Sequence, residues 1–302
     1  MKTMKNVFGL KVITSLMIAF VMIFASCSKT DEVAFTAQDV QNVSTAGAQE
    51  AQQEETGDMA ISALNEVEVP TGRVETEDVR LTCATRTPSG VNQDKSAGTI
   101  TIDFSGPNNP TGCTDSKGNV RKGKIIISWS GGKWYLKGST HTIAFEGYSI
   151  NGVAITGSRT VANISTLDSP LTWTIVATHT ATWPDATFAT RTVNRTRKWA
   201  RSINVIDDKV IISQTAGATS AAAGKNRYGK TYSVQITTPL EFKASCLLTS
   251  KVYLPVKGVL VITADGKVYT LDYGTGTCDN TFTVTFNGKT REFTGKNDST
   301  ND

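Results

Sequence analysis

Residues 172–183 read TWTIVATHTATW, and residues 187–205 follow as TFATRTVNRTRKWARSINV, with Pro184 and Asp185 between them. Both stretches alternate with the period of two that belongs to a β-strand. In the first, Trp173, Ile175, Ala177, His179, Ala181 and Trp183 fall on one face, and Thr172, Thr174, Thr178, Thr180 and Thr182 on the other. In the second, Arg191, Val193, Arg195, Arg197, Trp199 and Arg201 share a face. Thr, Val, Ile and aromatic side chains suit a pleated, half-buried surface. Two long strands joined by a Pro-Asp turn predict an antiparallel β architecture.

The same pattern extends to both sides. Strands are expected over 99–104, 124–130, 134–137, 142–146, 209–213, 231–237, 259–263, 268–273 and 281–286. Gly131-Gly132, Asn151-Gly152, Asp265-Gly266 and Asn287-Gly288 are two-residue hairpin signals, because these residues tolerate the positive φ of type I′ and II′ turns. Residues 215–226, rich in Ala, Gly, Ser and Thr, read as a loop, and no stretch shows a clear helical period. Residues 81–302 are therefore expected to form one all-β domain, either a large antiparallel sheet or a β-sandwich.

A faint repeat runs through this region. Thr101-Ile102-Asp103-Phe104 precedes Gly112-Cys113-Thr114-Asp115, and Thr270-Leu271-Asp272-Tyr273 precedes Gly276-Thr277-Cys278-Asp279. Cys83 lies 30 residues before Cys113, and Cys246 lies 32 before Cys278. Four cysteines allow three pairings. The parallel spacing favours Cys83–Cys113 and Cys246–Cys278, each clipping a strand whose turn is organised by an Asp side chain.

The N-terminus differs in kind. Lys2, Lys5 and Lys11 precede an apolar run over 12–25 that ends in Ala25-Ser26, directly before Cys27. This is the layout of a secretory signal peptide over residues 1–26, shorter than the roughly 20 apolar residues of a membrane span. Phe24-Ala25-Ser26-Cys27 resembles a lipobox, with Phe where Leu is usual. The resemblance implies acylation of Cys27, palmitate included. Removing Cys27 leaves an even number of cysteines, which suits an oxidising, exported setting.

Residues 28–80 hold twelve acids against three bases, whereas residues 81–302 hold twenty-five bases against fifteen acids. The acidic block is rich in Gln, Ala, Thr and Glu and poor in aromatics. We read residues 27–80 as a lipidated, disordered acidic tether, with a transient helix near 59–66. Its start, Cys27-Ser28-Lys29-Thr30-Asp31-Glu32, resembles the export signal of Bacteroidota surface lipoproteins, implying an outer-membrane protein that faces outward; a periplasm-facing protein is the alternative. The β region resembles uncharacterised Bacteroidota lipoproteins in Thr101–Phe104, Gly112–Thr114, Gly123–Ile127 and Leu271–Asn280. That resemblance implies no activity.

Chemistry is sparse. His141 and His179 have no second ligand at metal-binding spacing, so no metal or other cofactor is expected. The segment 115–119, DSKGN, reads as a turn rather than a calcium loop. Asp103 and Asp272, at matching places in the repeat, could form a carboxylate pair, but turn capping is the better reading. No catalytic residue is assigned. The candidate binding face is Arg191, Arg195, Arg197, Trp199 and Arg201, whose guanidiniums suit a polyanionic glycan or lipopolysaccharide phosphate. The alternatives are a solvated strand face and a face on which the acidic segment folds back. Trp173 and Trp183 could stack on sugar rings if exposed. No specific nucleic-acid partner is expected. The reading is a non-catalytic binding, adhesion or structural protein of the envelope; the alternative is a glycan-binding or glycan-acting accessory protein.

Overall fold

The computed structural model describes residues 36–68, 78–106, 109–116, 118–166, 170–250, 252 and 254–294. The expected signal peptide over 1–26 and Cys27 lie outside the described residues. The fold is all-β: one antiparallel sheet of 15 strands, so the choice between sandwich and single sheet falls to the single sheet.

The strands in chain order are β1 (Thr85–Ser89), β2 (Gly98–Asp103), β3 (Cys113–Thr114), β4 (Val120–Ser130), β5 (Thr140–Ile150), β6 (Val153–Asn163), β7 (Leu171–Thr182), β8 (Phe188–Ala200), β9 (Lys209–Gln214), β10 (Ala222–Lys225), β11 (Thr231–Lys243), β12 (Lys257–Ala264), β13 (Lys267–Thr275), β14 (Thr281–Phe286) and β15 (Lys289–Thr294). Successive strands mostly lie side by side, so the sheet is built from hairpins. Between β8 and β11 two short strands share one place. β10 pairs with both neighbours near Thr190–Val193, and β9 pairs with both near Arg195–Ala200. Asn151, Asp265 and Asn287 have φ of 48°, 52° and 49°, each followed by a Gly of positive φ, as type I′ hairpins require.

Three local expectations are corrected. Residues 134–137 form turns rather than a strand, because Trp134 and Ser139 are held in the β4–β5 connection: Ser139 Oγ donates to the Trp134 and Leu136 carbonyls. The loop expected over 215–226 contains β10, whose small side chains carry little strand signal. Gly224 is required there, since a Cβ would collide with the Thr190 carbonyl of β8. A short helix, α2 (Ala244–Ser250), follows β11.

The larger correction concerns the acidic block. Where a disordered tether was expected over 27–80, residues 37–67 form a 31-residue helix, α1 (Ala37–Val67); 27–35 and 69–77 lie outside the described residues. Thr36 caps it through a capping box in which Thr36 Oγ1 accepts from Asp39 N and Thr36 N donates to Asp39 Oδ2. Ala, Gln and Glu propagate it. The turn stops where Glu68 turns extended, its amide donating to the Leu64 carbonyl. No apolar stripe announced this helix because its buried side chains are mixed. Val43, Met59, Ala60, Ala63 and Leu64 are buried beside Asp39, Glu54, Thr56 and Asn65.

The helix explains why one face of the sheet is dry. Along β8 the side chains of Ala189, Arg191, Val193, Arg195, Arg197 and Trp199 are buried, while Thr192, Asn194 and Lys198 are exposed. Neighbouring strands alternate in phase: Ile100 and Ile102 on β2, Ile125 and Ile127 on β4, Trp173 and Ile175 on β7, and Tyr269 and Leu271 on β13 are all fully or nearly fully buried. These residues and the apolar side chains of α1 form one continuous core. Close backbone approach in the sheet requires glycine at particular positions. Gly157 on β6 has φ of 115°, and a Cβ there would collide with the Thr178 carbonyl of β7. The edges are blunted by Pro88 on β1 and by Lys289, Arg291 and Glu292 on β15.

Both expected disulfides are present, Cys83–Cys113 and Cys246–Cys278. Asp103 accepts from Ser105 N at 2.8 Å and Asp272 from Gly274 N at 2.8 Å, so the repeated Asp caps the same turn in both units.

A packed α1 and a free tether differ in a measurable way. Leu64 is fully buried. Leu64→Ala is expected to cost about 2–5 kcal/mol in urea unfolding, the range for deleting a buried Leu side chain. A tether would show no loss.

Candidate functional site

The alternation that placed Arg191, Arg195, Arg197 and Trp199 on one face is correct, but the face points inward. Five strand arginines, Arg121, Arg159, Arg191, Arg195 and Arg197, are buried at 7% exposure or less. They come from β4, β6 and β8, and α1 lies over them. The candidate polyanion face is therefore covered by the chain's own acidic segment. Arg201 lies just past β8, half-buried, with its guanidinium 4.8 Å above the Trp199 ring. Trp199 donates its indole N–H to Asp208 at 2.9 Å. Of the expected face, only Arg201 reaches solvent in part.

Helix spacing delivers the counter-charges. Glu54 and Asp58 are one turn apart on α1 and meet the same guanidinium: Arg197 Nη1 lies 3.2 Å from Glu54 Oε2, and Nη2 lies 2.6 Å from Asp58 Oδ1. Arg195 Nη1 is 3.7 Å from the other Glu54 oxygen. Glu55 points to β4, where Arg121 donates to it at 2.5 Å, to Asp115 at 2.8 Å and to the Tyr148 hydroxyl at 2.7 Å. Between these two clusters sits Gly57. A Cβ at that position would lie 2.7 Å from Arg159 Nη2, so Gly57 opens the space that the Arg159 head occupies. On β8, Arg191 donates to the Tyr232 hydroxyl at 3.4 Å and lies over its ring.

The ends of the helix are held the same way. Asp39 is fully buried and accepts from Lys267 Nζ at 2.7 Å and from the Tyr269 hydroxyl at 2.5 Å. Burial alone would raise its pKa, but these bonds, with those from Thr36, hold the carboxyl well below the ordinary range. At the other end Glu68 accepts from Lys133 Nζ at 2.5 Å, and its carbonyl accepts from the Trp134 indole at 3.1 Å.

Burial dominates the titration of the remaining groups. It acts to lower the Arg197 pKa, but the charges of Asp58 and Glu54 outweigh it and leave the group raised. Burial also lowers Arg159, and the nearby Arg197 and Arg195 add to that, so its pKa falls despite Glu54. Both histidines are pushed down to about 3, first by burial and then by the arginines beside them: Arg159 and Arg197 for His141, Arg159 and Arg191 for His179. They are neutral core residues. Among the described residues, no three His, Cys, Asp or Glu side chains are grouped to hold a metal ion.

The other candidates resolve into turns and core. Asp115 Oδ1 accepts from the Asn119 amide at 2.9 Å while Oδ2 takes Arg121, so DSKGN is a turn bonded into the ion-pair network; Lys117 is outside the described residues. Asp103 and Asp272 are each committed to their own turn. Trp173 is buried at 1% exposure, and Trp183 is half-buried beneath the Arg227 guanidinium, so neither offers an open ring for a sugar. Arg121 and Arg159 were missed as members of the cluster. Arg121 sits at the start of a strand whose apolar alternation begins only at Ile125, and Arg159 lies on a strand that was not expected.

What this arrangement does chemically is to hold. The carboxylates of one helix turn and a half pair with arginines of two strands, β4 and β8, and Gly57 admits Arg159 of β6 between them, fixing where the helix crosses the sheet. No family model, no curated protein and no solved structure matches the chain.

Two outcomes are expected. Arg197→Met leaves Glu54 and Asp58 without a main partner, so it should cost about 3–5 kcal/mol in urea unfolding. Adding Glu54→Gln should recover part of that loss in a double-mutant cycle. The histidines set a pH dependence. Unfolded, they titrate near 6.5; folded, near 3, so the unfolded chain alone takes up protons between these values. Stability should therefore fall as pH drops from about 6.5 toward about 3. His141→Gln should flatten the fall of the urea midpoint over that window.

Proposed function

We propose that this chain is a lipid-anchored protein of the cell envelope, held in the outer membrane by acyl groups on Cys27, facing the cell surface, with a non-catalytic binding, adhesion or structural role. The observation that carries this reading is the placement of Cys27 directly after Ala25-Ser26 at the close of the apolar run. Its support is the fate of the other cysteines. Cys83, Cys113, Cys246 and Cys278 are closed into two bridges, which leaves Cys27 as the cysteine outside them. Bridges of this kind belong to an exported chain.

The β domain then acts as a rigid body carried by the anchor. With the arginines turned inward, any ligand meets the outer face, the rims or the edges. A second reading, a glycan-binding or glycan-acting accessory protein, is favoured by one observation. The outer faces of β6, β7 and β8 carry hydroxyls in register: Thr156 opposite Thr180, Ser158 opposite Thr178, Thr178 opposite Thr192 and Thr174 opposite Thr196. Such a lattice offers donors and acceptors to sugar hydroxyls.

Radiolabelled palmitate should enter the wild-type protein, and Cys27→Ser should abolish the label and move the protein out of the membrane fraction. A Cys27→Ser chain that stays labelled or membrane-bound would overturn the anchor. Protease treatment of intact cells should remove the β domain; survival of the domain would place it on the periplasmic side.

A further inference from the structure

The hairpin turns divide the sheet into two rims. One carries the turns at Asn151-Gly152, Asp185, 226–230, Asp265-Gly266 and Asn287-Gly288. The other carries the connections 131–139, 164–170, 201–208 and 244–256. Helix α1 runs obliquely between the rims. Its first turn is bonded at Lys267 and Tyr269, beside the Asp265-Gly266 hairpin, and its last residue at Lys133 and Trp134 on the opposite rim.

Entry of the chain at the first rim has a consequence if Cys27 is acylated. Eight residues, 28–35, lie between Cys27 and Thr36. Whatever their conformation, they reach no more than about 30 Å. The acyl chains can therefore lie no farther than that from Thr36. Both rims expose large apolar side chains, and this one sets aromatic rings among them. Phe188 and Tyr228 are exposed at 54% and 42% on neighbouring strand ends, and Val268 at 52%. Beside them Lys225 is exposed, Lys230 is exposed and pairs with Asp265 at 3.0 Å, and Lys267 pairs with Asp39 at 2.7 Å. Exposed carboxylates on these turns are Asp185 and Asp265, engaged by Arg227 and Lys230.

We propose that this rim, around Phe188, Tyr228, Lys225 and Lys230, rests on the bilayer surface and binds the phosphates of anionic lipid headgroups. The inference rests on acylation of Cys27 as the reason the rim meets a membrane. Aromatic rings at the headgroup level and lysines toward the phosphates act together with the acyl chains and set the orientation of the domain on the surface. The contact orients the domain: the opposite rim, where Ile203 is 97% exposed, points away from the anchoring membrane.

The test uses the exported chain from residue 27 with Cys27→Ser, so that no acyl group contributes. It should co-sediment with vesicles of phosphatidylglycerol and phosphatidylethanolamine, not with phosphatidylcholine vesicles, and added salt should release it. Lys225→Glu with Lys230→Glu should weaken partitioning at least tenfold, given about fivefold for each lysine near an anionic surface. Tyr228→Ser should weaken it less, and Ile203→Ser should leave it unchanged, with thermal unfolding showing that each variant folds. No binding to the anionic vesicles would overturn the proposal. So would binding lost in Ile203→Ser and kept in the lysine variant, which would assign the contact to the opposite rim. Palmitate labelling reads the anchor separately: a labelled Cys27 with no vesicle binding rejects the contact and leaves the anchor standing. Lysine-dependent binding by the variant chain supports the contact whatever the label on Cys27.

Discussion

The structure depends on the contact between the carboxylates of α1 and the buried arginines of β4, β6 and β8. An unpaired guanidinium in the interior is costly, and so is an unpaired carboxylate. Arg197 between Glu54 and Asp58, and Arg121 between Glu55 and Asp115, bring each charge a partner where water is excluded. Such pairs add less to net stability than their number suggests, because desolvation offsets much of the attraction. What they supply is position. A helix held only by Met59, Ala60, Ala63 and Leu64 could slide along an apolar sheet; one held by Glu54, Glu55 and Asp58 has a single register. The room left by Gly57 for Arg159 serves the same end.

The helix in turn allows the sheet to be what it is. A single sheet of 15 strands has one face too many for water to leave dry. The second layer is supplied by a segment from outside the β region, and it crosses from the β13 side to the β4–β5 connection, so it touches many strands at once. At about 1.5 Å per residue its 31 residues extend some 46 Å, enough to cross much of the strand order. The chain's charge asymmetry has its physical meaning here: the acidic segment and the basic domain are two halves of one interior.

Much of the fold was legible. The period of two in 172–183 and 187–205, the Asn-Gly and Asp-Gly turns, and the spacing of the cysteines are local signals, and each corresponds to the strand, hairpin or bridge expected of it, except that the second strand ends at Ala200 and 201–205 belong to the connection after it. The failures have physical causes. β10 is made of Ala, Gly and a terminal Lys, α1 buries Asp39 and Glu54 along with Leu64, and the Arg191–Arg197 face is charged and yet interior. In α1 and on β8 the residue type that normally marks the solvent side stands on the buried side because a partner distant in sequence neutralises it, and in β10 small side chains give no strand pattern to read.

The sequence by itself determined the class of the fold, the faces of its strands, its disulfides and the composition contrast between its two blocks, since these follow from neighbours within a few residues and from simple spacing. Which face of β8 is inside was decided only by the tertiary structure. Alternation states that Arg191, Arg195 and Arg197 lie together; it does not state whether water or Glu54 and Asp58 will meet them. That depends on residues some 140 positions away in the chain, Arg197 and Glu54 being separated by 143. Only the folded sheet brings the acidic segment over the basic one and turns what reads as an exposed binding surface and a loose tether into a single packed core.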